Sequence, residues 1–196
     1  KGLNLQNSIG NIYLPSINKN FLKKKIGKNK FKLSKITSTP LIFNNNIFFA
    51  DDTGSIFSIN QKGKINWKKN IYKKMYKNIY KNLVLSIYKN NIYVADNIGF
   101  VYAINFDSGK LVWIKNYSIP LKSNIKIFDN KIYLMDQNNR IFSLNIKDGT
   151  RIWDVLSISS FIKSQNLLSL AISKTGDLII LNSSADLYKI DGNTGE

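Results

Sequence analysis

The sequence predicts an all-β chain, a partial β-propeller of about three and a half four-stranded antiparallel blades, and three observations lead there. First, Asp51, Asp96, Asp136 and Asn182 fall in one column, separated by 45, 40 and 46 positions. Second, Trp67, Trp113 and Trp153 fall in another, each four residues after a glycine, Gly63, Gly109 and Gly149. Third, short apolar segments separated by polar turns fill the space between the columns, at the period of strands. Four short strands in a repeat of this length mark a propeller blade.

Residues 1–36 read as an N-terminal arm, punctuated by Gly2, Gly10, Pro15 and Gly27. Within it Phe21 to Ile26, carrying Lys23, Lys24 and Lys25, reads either as solvated chain or as a lysine-protected edge strand. Residues 37–196 hold the repeats, in blades of about 37–70, 82–116, 122–156 and 168–196. Each opens with an apolar segment: Leu41 to Phe43, Leu83 to Tyr88, Ile125 to Phe128 and Leu168 to Ile172. The second segment, such as Ile47 to Ala50 or Ile92 to Ala95, is nearly all apolar, which suits a strand covered on both faces. It closes in Asp-x-x-Gly, where the carboxylate can accept backbone amides and the glycine takes a positive φ. Asn139 stands in for that glycine in the third copy, and Asn is the next most tolerant residue.

The third segment keeps a small residue in one slot, Ser58, Ala103 and Ser143, before a glycine turn and a strand ending in Trp. A Trp there has a wide apolar face and one N–H that needs a partner when buried. The pairs Gly63 and Trp67, Gly109 and Trp113, Gly149 and Trp153 are therefore expected to fasten blade to blade. Lys189 occupies the small-residue slot of the fourth blade, which is expected to be the least regular. Gly195 would place a further Trp three residues beyond Glu196, so the chain is expected to be part of a longer protein, about half of one.

Composition narrows the chemistry. The chain has no Cys and no His, which removes thiolate, imidazole and the usual zinc chemistry. It has no run of about 18 apolar residues, the length a membrane-spanning helix needs. The net charge of +17 invites a nucleic-acid reading, with Tyr72 to Lys81 interleaving basic and aromatic residues. Against it, 27 Lys stand beside only two Arg, Arg140 and Arg151, together with 27 Asn and 30 Ile. A coding bias accounts for all of these at once, whereas phosphate reading would favour Arg as well. The aromatic spacing in residues 72–81 also fits a helical face, in a position where a loop or outer strand belongs.

The pattern of apolar strand, Asp-x-x-Gly, Val101-Tyr102-Ala103-Ile104-Asn105, glycine and then Trp resembles the pyrroloquinoline-quinone-type propeller repeat from Thr39 to Glu196. That resemblance implies an eight-bladed propeller and leaves two functional readings. One is a quinoprotein dehydrogenase, which would need a quinone, calcium, a catalytic Asp and metal-binding Glu and Asn; Glu196 is the only Glu here. The other is the propeller lipoprotein family of the outer-membrane β-barrel assembly machinery. The order of non-repeat features is similar to that family: Lys25 to Lys28, Ser38-Thr39-Pro40, the loop Ser118 to Ser123, and a linker from Ser157 to Ser169.

The family's Leu-x-Leu-Arg docking element maps onto Ile119, Leu121 and Lys122, with Lys in place of the planar Arg fork. The same residues also read as the lead-in to an inner strand. The resemblance to the lipoprotein family implies a non-enzymatic scaffold without cofactor or metal, on the periplasmic face of the outer membrane. Its partner would be the main barrel-assembly subunit, met through periplasmic domains, with no nucleic acid and with membrane attachment only through a lipid anchor outside these residues. The N-terminal arm would supply the outer strand of a last blade.

Overall fold

The computed structural model describes residues 38–158 and 166–196, so the N-terminal arm, with Phe21 to Ile26, and part of the Ser157 to Ser169 linker lie outside the described residues. Four antiparallel sheets follow one another. The first holds β1 (Leu41–Phe43), β2 (Asn46–Ala50), β3 (Ser55–Asn60) and β4 (Ile65–Asn70). The second holds β5 (Leu83–Tyr88), β6 (Asn91–Asp96), β7 (Phe100–Asn105) and β8 (Leu111–Asn116). The third holds β9 (Lys126–Phe128), β10 (Lys131–Met135), β11 (Arg140–Asn145) and β12 (Arg151–Leu156). The fourth holds β13 (Ser169–Ile172), β14 (Leu178–Leu181) and β15 (Leu187–Ile190). Each sheet is a simple meander, the architecture of successive propeller blades.

The core is a series of layers between consecutive sheets, and this explains the all-apolar second strands. Successive strand residues point to opposite faces. Ile92 and Val94 pack with Phe48 and Leu41 of the first sheet, while Tyr93 and Ala95 pack with Ile132 and Phe142 of the third. Tyr133 and Met135 in turn pack with Leu170, Leu178 and Ile180 of the fourth. An alternating polar pattern would leave one of these layers unfilled.

The Asp column makes the turns after the second strands. Asp96 Oδ1 accepts the amides of Ile98, Gly99 and Phe100, each at 2.8 Å. Asp51 takes Thr53 and Ser55, Asp136 takes Asn138 and Arg140, and the Asn182 side chain takes Ser184 and Asp186. The position three residues on is left-handed in every copy: Gly54 (φ 83°), Gly99 (110°), Asn139 (64°) and Ala185 (65°). Ser38 and Ser123 add a feature not expected from the sequence. Each hydroxyl accepts a backbone amide twelve residues on, from Ala50 at 2.6 Å and Met135 at 2.8 Å, tying the chain to its sheet.

Lys189 is exposed, with Nζ 3.3 Å from Asp177. The three described strands of the fourth sheet pair without a register shift, Lys189 lying opposite Ile179, so the irregularity expected at Lys189 is not seen in them.

Candidate functional site

The sheets present two ends. One carries the glycine turns before β4, β8 and β12, and the tryptophans work there. Trp67 Nε1 donates to Phe106 O at 2.8 Å, Trp113 to Ile146 O at 3.1 Å and Trp153 to Gly192 O at 3.1 Å. Every acceptor belongs to the following sheet. A Cβ on Gly109 would lie 2.7 Å from the Trp67 ring, and one on Gly149 would lie 2.6 Å from Trp113. The glycine beneath each Trp is thus the next sheet's, not its own, and Gly195 plays this part for Trp153. Buried Ser58, Ala103 and Ser143 sit directly opposite the three tryptophans, and a register shift beside each pair turns the indole toward its neighbour.

The other end carries the Asp turns and the links between sheets. Residues 117–125 join the second sheet to the third and contain the candidate docking residues. Tyr117 N donates to Gly99 O at 2.8 Å, Ser118 turns at φ 62°, and Leu121 N donates to Asp96 O at 3.1 Å. On the far side Gln137 N donates to Pro120 O at 3.0 Å and Lys122 N to Met135 O at 2.9 Å. The link is therefore pinned between two Asp turns with Ile119 at its apex. A Cβ on Gly99 would lie 2.9 Å from Ile119 N, so the glycine permits this close passage.

Ile119 and Lys122 are half-buried, whereas Leu121 is only 5% exposed and belongs to the layer between the second and third sheets. The structure thus brings Ile119 and Lys122 toward the surface and puts Leu121 inside, as the lead-in to β9 through its bridge to Asp136. Beside Ile119 opens a pocket of about 300 Å³ lined by Tyr117, Ile119, Leu121, Asp136, Arg140, Phe142 and Arg151. Arg140 and Arg151 both pair with Asp154, and the Arg151 guanidinium lies 5.6 Å from the centroids of Tyr117 and Phe142. The Tyr117 hydroxyl donates to Gly149 O, and burial pushes this phenol up to about 12 against the pull of Arg151. The two arginines were missed as site residues, although their rarity among 27 lysines was the available signal.

Residues 71–82 join the first sheet to the second. They form neither a helical face nor an outer strand, but a loop with one 3₁₀ turn at Lys74–Tyr76. Tyr72 crosses Gly54 and its hydroxyl donates to the buried Asp96 carboxylate. Tyr72, Tyr76 and Phe100 meet edge to face, with centroids 5.5 to 6.4 Å apart. The aromatics of this segment therefore stack on each other and on the second sheet.

No group of three His, Cys, Asp or Glu comes together among the described residues, and the Asp column is engaged by backbone amides.

Solved structures share this fold. BamB from Moraxella catarrhalis superposes with a TM-score of 0.63 at 15% identity, over 78% of this chain and 48% of that one. The computationally designed Ika4 protein matches with a TM-score of 0.62 at 10% identity, over 86% of this chain and 98% of that one. The quinohemoprotein alcohol dehydrogenase from Comamonas testosteroni matches at 0.64 and 14% identity, over 81% of this chain and 33% of that one. The chain thus spans about half the length of the Moraxella protein, and no curated protein matches it in sequence. At the level of family, the description "Outer membrane protein assembly factor BamB" matches residues 82–196, more than half of the chain. This chain, a partial β-propeller of pyrroloquinoline-quinone-type repeats, belongs to the BamB family.

Proposed function

We propose that the protein is a non-enzymatic scaffold in outer-membrane β-barrel assembly, which holds a protein partner through the loop 118–123. The single observation that carries this reading is the pinned apex at Ile119, set over a pocket with an aromatic wall and two guanidinium groups. A half-buried aliphatic side chain beside a polar rim is the usual form of an interface anchor. The partner is the main barrel-assembly subunit, through its periplasmic domains, and the site of action is the periplasmic face of the outer membrane. Membrane attachment comes from a lipid anchor outside these residues. Lys122 stands where the family carries Arg, and two planar guanidinium groups, Arg140 and Arg151, line the pocket beside Ile119 while paired with Asp154. This reading calls for no cofactor, metal or nucleic acid.

A pull-down of the main assembly subunit's periplasmic domains tests this. Ile119→Asp with Lys122→Glu is expected to abolish capture while leaving the thermal midpoint within a few degrees of wild type. Full capture by that variant removes the docking claim. The other reading, a dehydrogenase fragment, draws on the likeness to the Comamonas enzyme. Dye reduction by the full-length protein supplied with quinone and calcium would establish it instead.

A further inference from the structure

The 71–82 link is held far more firmly than a solvated connection needs. Ordering a loop costs conformational entropy at every residue fixed. Here Tyr72 is tied to Asp96, Tyr76 is packed on Phe100, and the Lys81 side chain, 1% exposed, donates to the carbonyls of Tyr76 and Ile79. What this framework holds in place is a cleft of about 660 Å³ lined by Lys68, Lys73, Lys74, Lys77, Lys81 and Asp51, among others. Among the described residues Asp51 is the one carboxylate lining it, and its Oδ1 already accepts the amides of Thr53 and Ser55 and the Thr53 hydroxyl. Among the described residues, no carboxylate lies within ion-pair distance of Lys68, Lys73, Lys74 or Lys77. Lys68 instead lies over the Phe57 ring at 4.9 Å. On the same loop Met75 is 75% exposed and Ile79 44%, two large apolar side chains beside the ammonium groups.

The ammonium groups of Lys68, Lys73, Lys74 and Lys77 around the cleft favour an anion, and the apolar side chains exposed on the same loop favour a partner with an apolar phase behind the anion. A free anion would make no use of Met75. Together they match the surface of a bilayer, where lysines meet headgroup phosphates and apolar side chains enter the acyl boundary. We propose that this cleft and its lip bind the headgroups of an anionic phospholipid surface. The contact is independent of the docking loop and lies at the same end of the sheets.

The probe is vesicle co-sedimentation of the full chain, with phosphatidylcholine vesicles against phosphatidylcholine mixed with phosphatidylglycerol. The wild type is expected to bind the anionic vesicles selectively and to release with salt. Each lysine near such a surface contributes about fivefold in partitioning. The triple variant Lys73→Gln, Lys74→Gln, Lys77→Gln is therefore expected to bind about a hundredfold more weakly. Met75→Ser should weaken binding several-fold at unchanged charge.

The comparison variant Lys62→Gln, Lys64→Gln, Lys110→Gln removes the same charge from exposed glycine-turn positions at the opposite end. It should bind nearly as wild type. Equal losses in the two triple variants would reduce the effect to net charge and overturn the proposal. So would binding without preference for anionic vesicles. Inorganic phosphate or single-stranded RNA binding that the Lys73, Lys74, Lys77 variant abolishes, with no vesicle capture, would also overturn it and assign the cleft to that ligand.

Discussion

The links 71–82 and 117–125 do one topological job with two chemistries. Both leave an outer strand through an Asn whose side chain accepts an amide two residues on, Asn70 from Tyr72 and Asn116 from Ser118. Both then cross the glycine of an Asp turn, Gly54 or Gly99. From there they diverge. The first is fastened by polar and aromatic contacts, with Lys81 buried and Lys73, Lys74 and Lys77 outside. The second is threaded into the core by Leu121 and Ile125. The first should respond to changes of charge and hydrogen bonding, and the second to changes of volume.

Deleting volume from the second link is the strongest way to separate them. Leu121→Ala should cost about 2–5 kcal/mol in denaturant unfolding, because it opens a cavity between two sheets. A value near zero would mean that Leu121 can leave the core and act as a surface anchor after all. In the first link the discriminating change is Tyr72→Phe, which takes a donor from the buried Asp96 carboxylate and should cost about 1–3 kcal/mol. Tyr117→Phe, the matching change in the second link, removes a single bond to a carbonyl and should cost about 0.5–1.5 kcal/mol. If these two costs came out equal, the contrast in chemistry would fail. Smallest of all, Met75→Ala should shift stability by no more than about 0.5 kcal/mol, since the side chain is exposed.

The pH dependence sharpens the same contrast. Burial pushes the Asp96 carboxyl above its ordinary range, opposed by the hydroxyl of Tyr72 and the amides of Phe100, Ile98 and Gly99. The native state therefore holds this proton more tightly than the unfolded chain does. The stability it contributes is fully present below the ordinary carboxylate pKa and is lost as pH rises through the raised value. Urea midpoints of wild type and Asp96→Asn, compared from acid to neutral pH, should show wild type losing ground as pH rises. A gap that widens with pH in favour of wild type would contradict this assignment.

The fold was legible because its determinants are local. A carboxylate that accepts amides two to four residues on needs only its own turn, so the Asp column could be read from one strand of text. Layers on both faces of β6 and β10 likewise show as unbroken apolar runs. The failures share a cause, which is that the partner lies on another strand or in another sheet. Nothing in one repeat says that Trp67 rests on Gly109, or that Tyr72 reaches Asp96, 24 positions on. Ile119-Pro120-Leu121 reads the same whether Leu121 points out as a hook or in as core. Arg140 and Arg151 were conspicuous by rarity, but their meeting at Asp154 depends on the pairing of β11 with β12.

The tryptophans all reach in one direction, each toward the sheet that comes later in the chain. On the ribosome this gives the propeller an order of completion. The first sheet can pair its strands as soon as Asn70 has emerged, yet Trp67 has no carbonyl to bond until Phe106 is out and no glycine to rest on until Gly109 follows. Every newly made sheet thus closes the one before it and leaves its own indole waiting. Stalled synthesis should leave one unfinished layer at the growing end, whatever the length of chain already made.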